Sequence, residues 1–557
     1  MTINKTRTRA QESSAAIERL YITMRHLFNR GFYKPSGVSG ETLINSLLSL
    51  RPEIYGSIAD SEKVELDGLV YVIDRLPEGI EECRYINLTS DEGFSKSHFE
   101  VIYPSKRRRN CYRIDGDQMN IEITRGRSEI YDILTHLTFL FHEAEKIRDR
   151  AVVNKEGKTI REWKLIEEIA LGNKKLVGKQ REIALTHMGS LLGRSFDEVQ
   201  KTYNELATEE NPERFIHVMY WLGKLSMDEM LEGKKREISF NSILRERIGH
   251  HLHGELWADN IKNILVKKKI FNRPLHIISA NMHSVMNLLF AKQALPNIAK
   301  THKGVDFFIE LSDDKNSNLR DKVSSLASKN GMISVQDKSG SNINVQIFDS
   351  FKTEGFNSEK LDKKDAPVII VMDYAFGEQA FEAMDELLKP YKDKDGVKHN
   401  MNIKSISIMG KAGILQGGKG DIMIPNAHVF EGTADNYPFE NTLKTEDFEG
   451  CGLGVFGGPM ISVLGTSLQN KDILRFFKRS SWGVIGLEME GAHYQKAIQA
   501  ASKIRNSIPK DVELRYAYYA SDNPLETGAT LASGGLGHQG VLPTYLITEK
   551  ILEQIFG

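Results

Sequence analysis

Two carboxylates, Glu488 and Glu490, stand two residues apart in Gly486-Leu487-Glu488-Met489-Glu490-Gly491, where an apolar run (Val484, Ile485, Leu487) gives way to a helical pattern. A third acid, Asp522, ends the apolar run Tyr516 to Ala520 within Ala520-Ser521-Asp522-Asn523-Pro524. Acids at strand ends, framed by glycine and small residues, suit a pocket that holds a sugar and protonates a leaving group. The two-residue period of a strand puts Glu488 and Glu490 on one side. Upstream, Met409-Gly410-Lys411-Ala412-Gly413 and Gly417-Gly418-Lys419-Gly420-Asp421 follow another apolar run. A glycine-flanked turn there would let backbone amides approach an anion or a hydroxyl.

The elements that must carry these residues are legible in outline. Leu275 to Ala280, Val368 to Met372 and Ile403 to Ile408 are apolar throughout and alternate with helical stretches around Val285–Ala291 and Phe381–Leu388. That alternation implies an α/β domain whose sheet is covered on both faces, over 266–557. The polar stretch from Asp313 to Gln346 reads as an insertion or irregular loops. Residues 1–265 read as a mostly helical domain carrying a small sheet. Ile17, Leu20, Tyr21, Met24, Leu27 and Phe28 mark one helix face, and 69–73, 99–103 and 119–123 read as short strands.

Composition narrows the function classes. A chain of 557 residues implies two or three domains, and its 40% hydrophobic and 27% charged content is that of a globular protein. A net charge of −1 gives no field favouring nucleic acid or an anionic membrane. Three scattered cysteines (Cys83, Cys111, Cys451), no signal-like N-terminus and no long apolar run fit a soluble cytoplasmic protein. No metal is expected. His136, His142 and Glu143 lack metal-ligand spacing, and His250, His251 and His253 lack a carboxylate or cysteine partner. Lys106-Arg107-Arg108-Arg109 reads as a solvated loop rather than a phosphate grip.

The order of motifs resembles the nucleoside phosphorylase and nucleosidase superfamily. Tyr374-Ala375-Phe376-Gly377-Glu378-Gln379-Ala380 is similar to its glycine turn, and Gly410 to Ile424 to its nucleophile-side loop and following strand. Glu488-Met489-Glu490-Gly491-Ala492 is similar to the ribose-binding motif, and Ser521-Asp522-Asn523 to the end of the last core strand. Gly458 to Gln469, with Leu468, resembles the segment beside the base. The likeness spans about 280 residues and leaves the first half uncovered. Pro524, Leu525, Gly528 and Leu531, with the large N-terminal extension, look most like AMP nucleosidase.

The resemblance implies a three-layer α/β/α domain with a central mixed sheet, and cleavage of the N-glycosidic bond of a purine nucleoside or nucleotide. Asp522 would be the general acid at the base, and Glu488, on the side of Glu490, a catalytic residue that orders the nucleophile or pairs with a cation. Glu490 would bind the ribose hydroxyls, Met489 would pack on the sugar, and Gly377, Gly410, Lys411, Ala412, Leu468 and Asn523 would line the substrate. A homo-oligomer without a cofactor is implied, with phosphate as a further ligand. The turn Ala280-Asn281-Met282-His283-Ser284 lacks the phosphorylases' Gly-Asp-Pro and arginine, and Lys411 stands where serine, threonine or histidine is common. Lys411 would then bind a phosphate or pair with a carboxylate such as Glu488. A phosphate-dependent phosphorylase and a nucleotide-sensing module with weakened turnover are the alternatives.

Overall fold

The computed structural model describes residues 8–90, 92–172, 175–353, 362–433, 435–526 and 536–557. Contacts divide the chain into two compact units. The first is Met1–Thr124, Glu129–His250 and Ser467–Asp472, and the second is Arg125–Ser128, His251–Thr466 and Ile473–Gly557.

In the first unit the strands are β1 (Phe32–Tyr33), β2 (Tyr85–Thr89), β3 (Val101–Ile102), β4 (Cys111–Arg113), β5 (Gln118–Glu122) and β6 (Glu237–Phe240). Among the described residues they form one sheet in the order β1-β6-β2-β5-β4-β3, surrounded by helices. The expected strand at 69–73 is instead the helix Leu66–Ile73. Glu65 caps it by accepting from the Gly68 amide, and Leu66, Leu69, Val72 and Ile73 are buried while Asp67 is exposed, a spacing of three. The basic run is not a solvated loop either. Arg107 and Arg109 both reach Asp132, at 3.0 and 3.1 Å, and Arg109 also meets Glu129 at 3.2 Å. His136 joins them, 3.2 Å from Asp132 and from the Tyr55 hydroxyl.

The second unit begins earlier in the chain than residue 266. Helix Leu252–Lys267 buries Trp257, Ala258, Ile261 and Leu265 in this unit's core, and Trp257 Nε1 donates to Ile343 O at 2.8 Å. Its strands are β7 (Leu275–Ser279), β8 (Met332–Val335), β9 (Val345–Asp349), β10 (Val368–Met372), a small hairpin of β11 (Tyr391–Lys392) and β12 (Lys398–His399), β13 (Ile403–Ile414), β14 (Ile422–Phe430), β15 (Asn436–Pro438), β16 (Val455–Ser462), β17 (Gly486–Glu488) and β18 (Glu513–Asp522). Apart from the hairpin they form one mixed sheet, β15-β14-β16-β17-β13-β7-β10-β9-β8, with β18 paired to both β13 and β14. The pairings β13-β18-β14-β16-β17-β13 therefore close on themselves, so one end of the sheet is a ring of five strands. The ring has no room for a side chain at Gly486, where a Cβ would lie 2.4 Å from Met423 Sδ and 2.7 Å from Gly413 O.

Alternation along the strands feeds two cores, giving the α/β/α layering. Ile277, Ile370, Met372, Tyr516 and Tyr518 face one core, with helices Leu252–Lys267, Gln379–Leu387 and Gly491–Gln499. Ile278, Ile369, Val371, Ala517 and Tyr519 face the other, with helices Ser284–Ala294, Ser317–Lys329 and Val541–Phe556. Each fully buried aliphatic side chain contributes about 1.5–3 kcal/mol, which is why these strands lack polar alternation.

Two sequence expectations change here. The stretch Asp313 to Gln346 is ordered, holding helix Ser317–Lys329 and strands β8 and β9, which pair antiparallel. Residues Gly410 to Gly413 are not a turn but the last part of β13, paired to β18 through Gly413↔Asp522. The turn lies beyond, where Asp421 accepts from the Gly418 and Gly454 amides, both at 2.8 Å. Among the described residues no helix is long and apolar enough to cross a membrane.

Candidate active site

Strands β7, β10, β13 and β18 run parallel, so their carboxyl ends lie on one side of the sheet, where α/β folds place ligands. On one edge β13 pairs with β7 as far as Ile408↔Ser279 and with β17 from Gly413↔Leu487. Met409 to Ala412 therefore face a gap between two partner strands. The Tyr374 ring lies against Gly410 there, and its hydroxyl interacts with Tyr519 and with the Asn281 backbone.

Glu490 follows β17 and stands at the N-terminus of helix Gly491–Gln499. The Gly377 amide donates to its Oε1 at 2.9 Å. Gly377 has φ 55°, and a Cβ there would lie 2.4 Å from Ser128 Oγ and 3.9 Å from Met489 Cε. Glycine is thus required twice, by backbone and by space. Ser128 also accepts from the Glu378 amide at 2.8 Å, and Arg127 pairs with Glu378 at 3.0 Å. Burial raises the Glu490 carboxyl to about 7, against the pull of the Gly377 amide.

Glu488 is otherwise engaged. One of its oxygens accepts from the Ser462 hydroxyl, and the other from the amides of Glu490 and Gly491. Ser462 Oγ in turn accepts from the Ala492 amide at 2.9 Å. The carboxyl is 3% exposed, and burial with the neighbouring Glu490 raises it to about 8. Its contacts shape the turn that presents Glu490.

Asp522 ends β18 just past a bulge, as the register moves from Ala412↔Ala520 to Gly413↔Asp522. It is 2% exposed, and its Oδ2 is buried without a hydrogen-bond partner among the described residues. Burial raises its pKa, opposed by Ser521, Lys411 and Lys419. Ser521 Oγ lies 2.5 Å from Asp522 Oδ1 and 3.0 Å from Ala412 O. One hydroxyl proton cannot serve both acceptors well, whereas a proton on Asp522 would satisfy both contacts.

Lys411 is exposed and, among the described residues, forms no ion pair, so the pairing with Glu488 is not realised. It sits beside Tyr519 in the β13–β18 register, on the face that Gly413 shares with Asp522. Lys411 and Tyr519 open onto a cavity of about 490 Å³, together with Asn281, His283, Ser284, Asn287, Arg320 and Tyr545. Asn523 holds a turn, its Nδ2 donating to Gly417 O at 3.3 Å and its Oδ1 accepting from Leu525. Leu468 is 2% exposed in the segment Ser467–Asp472 of the first unit. Gly528 and Leu531 lie outside the described residues. The structure thus brings Gly377, Met489 and Glu490 together, and sets Lys411 and Asp522 on one face.

Sequence reasoning missed Ser128, Arg320 and the Asn287–Tyr545 pair. Asn287 and Tyr545 had a signal, being polar residues inside apolar helical patterns; Ser128 and Arg320 had none. Among the described residues, no group of three or more His, Cys, Asp or Glu could hold a metal ion.

The family described as "Family of unknown function (DUF6909)" matches residues 41–298 and 306–557, and the chain belongs to it. None of the curated proteins matches. Solved structures similar to the chain include the 5'-methylthioadenosine/S-adenosyl homocysteine nucleosidase of Campylobacter jejuni, with 10% identity and a TM-score of 0.29, covering 51% of this chain and 98% of that one. Futalosine hydrolase of Helicobacter pylori matches with 10% identity and a TM-score of 0.30, covering 51% and 99%. Uridine phosphorylase of Schistosoma mansoni matches with 12% identity and a TM-score of 0.32, covering 53% and 91%.

Proposed function

We propose that the chain, as a member of this family, is an enzyme that cleaves the N-glycosidic bond of a purine nucleotide, hydrolysing AMP to adenine and ribose 5-phosphate. The observation that carries the reading is Asp522, a buried acid at a strand end whose Oδ2 has no partner among the described residues and whose pKa is raised. A raised pKa favours a proton on this group when a base nitrogen is bound, and passing that proton to the leaving purine lets it depart as a neutral molecule. Glu490 accepts hydrogen bonds from the ribose 2′- and 3′-hydroxyls and steadies positive charge building on the ring. Its raised pKa adds a requirement, since the carboxylate forms only as pH rises past about 7 unless the bound sugar's hydroxyls pull it down. Glu488 acts through Glu490 as a positioning residue, because its oxygens are taken by Ser462 and the turn amides. Met489 packs against the sugar. On the same reading the protein works in the cytoplasm as a homo-oligomer.

A second reading, phosphorolysis, is favoured by one feature, the exposed Lys411 with no ion pair among the described residues, which suits an orthophosphate nucleophile. Incubating the purified protein with AMP, adenosine and methylthioadenosine, with and without phosphate, separates the two. Base release from AMP without phosphate is expected. Release that requires phosphate transfers the case to phosphorolysis, and no base from any substrate at high enzyme concentration removes both.

A further inference from the structure

The segment 374–378, between β10 and helix Gln379–Leu387, gives its backbone amides to side chains. Tyr374 donates to Asp373 Oδ1 at 2.9 Å and Phe376 to Gln379 Oε1 at 3.2 Å. Gly377 donates to Glu490 Oε1 at 2.9 Å and Glu378 to Ser128 Oγ at 2.8 Å. The backbone of Ala375, the remaining residue, meets the hydroxyl of Tyr494. A stretch bound in this way has neither a strand ladder nor a helix to keep its shape, so the side chains that receive its amides set its geometry.

Asp373 and Gln379 are local to the segment, whereas Tyr494 joins it to the sheet. The Tyr494 hydroxyl lies 3.0 Å from Ser279 Oγ. Ser279 is the last residue of β7 and pairs with Met372 on β10 and Ile408 on β13, so it is fixed from both sides. Both side chains are buried, and the Tyr494 ring packs in the core that holds Ile277, Met372 and Tyr516. The phenol has one proton and an oxygen that accepts, so it can donate to Ser279 while receiving the Ala375 amide. Tyr494 also stands one turn along the helix from Glu490, its amide donating to Glu490 O at 2.9 Å. Glu490 and Tyr494 therefore hold the segment two residues apart from a single helical turn.

We infer that Tyr494 is a positioning residue for Glu490: braced on Ser279, its hydroxyl fixes the segment that keeps the Gly377 amide on the Glu490 carboxylate. The inference rests on the glycosidase reading only for what Glu490 meets, the ribose hydroxyls. Exchange of Tyr494 for phenylalanine keeps the ring in the core but leaves the Ser279 hydroxyl and the Ala375 backbone without this partner, and the segment relaxes. The Gly377 amide favours the ionised form of Glu490, so its withdrawal makes the carboxylate harder to form. The titratable groups that act on Glu490 or lie next to its contacts are Glu488 on its own turn, Tyr494 on the helix and Tyr518 on β18, with Arg127 and Glu378 paired beside Gly377. The exchange changes the charge of none of them, since burial keeps the Tyr494 phenol neutral. A tyrosine that served packing alone would leave the titration of Glu490 untouched.

The test uses the full-length protein and two readouts. Isothermal titration calorimetry measures ribose 5-phosphate binding to the wild type and to Tyr494→Phe from pH 6 to 9, with base release from AMP followed over the same range. The ratio of the two Kd values, in which the ligand's own titration cancels, should be about tenfold at pH 7 and shrink to about twofold at pH 9, where the carboxylate forms in both proteins. Urea midpoints of Tyr494→Phe, Glu490→Ala and the double variant form the second readout. The double variant should lose less than the sum of the two, because a segment released by one change has less to lose from the other. Ser279→Ala, which removes the brace, should move both readouts the same way by a smaller amount, and it carries the test if Tyr494→Phe does not fold. A pH-dependent ratio with less-than-additive midpoints supports the inference. Less-than-additive midpoints in a protein that neither binds ribose 5-phosphate nor releases base leave the positioning of Glu490 standing and remove the glycosidase reading. Additive midpoints, or a Kd ratio that is the same at every pH, overturn the inference even if base is released.

Discussion

Replacing Gly377 with alanine isolates the contact that holds Glu490. At φ 55° an L-residue costs about 1–2 kcal/mol, and the added methyl would lie 2.4 Å from Ser128 Oγ and 2.7 Å from Ser128 Cβ. Relief of such overpacking costs about 1–3 kcal/mol, so Gly377→Ala should destabilise the protein by about 2–5 kcal/mol. The relief moves the Gly377 amide away from Glu490 Oε1, now at 2.9 Å, and Glu490 loses its donor. Ser128→Gly removes both clashing atoms at the cost of the Glu378 amide's acceptor, about 1 kcal/mol. The double variant should then be more stable than the sum of the two changes predicts, by about 1–3 kcal/mol. Urea denaturation of the four proteins measures the cycle, and adenine release from AMP should follow the same order. A Gly377→Ala protein as stable as the wild type, or a cycle with no coupling, would refute the assigned contact.

Three further changes probe neighbouring groups. Ser462→Ala removes the hydroxyl on Glu488 and leaves a buried carboxyl oxygen unmet, so denaturation should show a loss of about 1–3 kcal/mol; no change would mean that Glu488 does not depend on Ser462. Glu431 is buried, with Oε1 lacking a partner among the described residues, and burial raises it from 4.5 to about 8. The folded state therefore holds a proton that the unfolded chain releases near pH 4.5, and its contribution to stability is present below that pH and lost as pH rises to about 8. Glu431→Gln should accordingly gain on the wild type as pH rises from about 4.5 to about 8 and level off above that in denaturant melts, and a constant difference between pH 5 and 8 would contradict the burial. Glu490 behaves alike over pH 4.5 to about 7, so Glu490→Gln should lessen the wild type's pH dependence there while abolishing ribose-dependent binding.

The sequence shows the second unit's fold and the acids more readily than what surrounds them, for physical reasons. Strand β10 is buried on both faces and apolar throughout, and β7 and β18 hold buried apolar stretches, Ile277–Ile278 and Tyr516–Ala520, that stand out in the same way. Glu488, Glu490 and Asp522 sit in short contiguous motifs. Arg320 was hidden because its helix Ser317–Lys329 buries only Val323 and Ala327, too narrow a stripe to betray a helix. Ser128 reaches Glu378 from 250 residues away, and no local pattern announces such a contact. The run 69–73 reads as a strand because a short apolar stretch carries both periods, and the cap at Glu65 decides for the helix Leu66–Ile73. Gly410 to Gly413 look like a turn, yet pairing with β18 keeps them extended.

The role of the acid is open to one direct measurement, the rate of adenine release from AMP by the wild type and by Asp522→Asn under identical conditions. An amide cannot hand its proton to the purine, so kcat should drop by about 10²–10⁴-fold, with the variant still folded and still binding ribose 5-phosphate. A variant within a few-fold of the wild type would contradict the account.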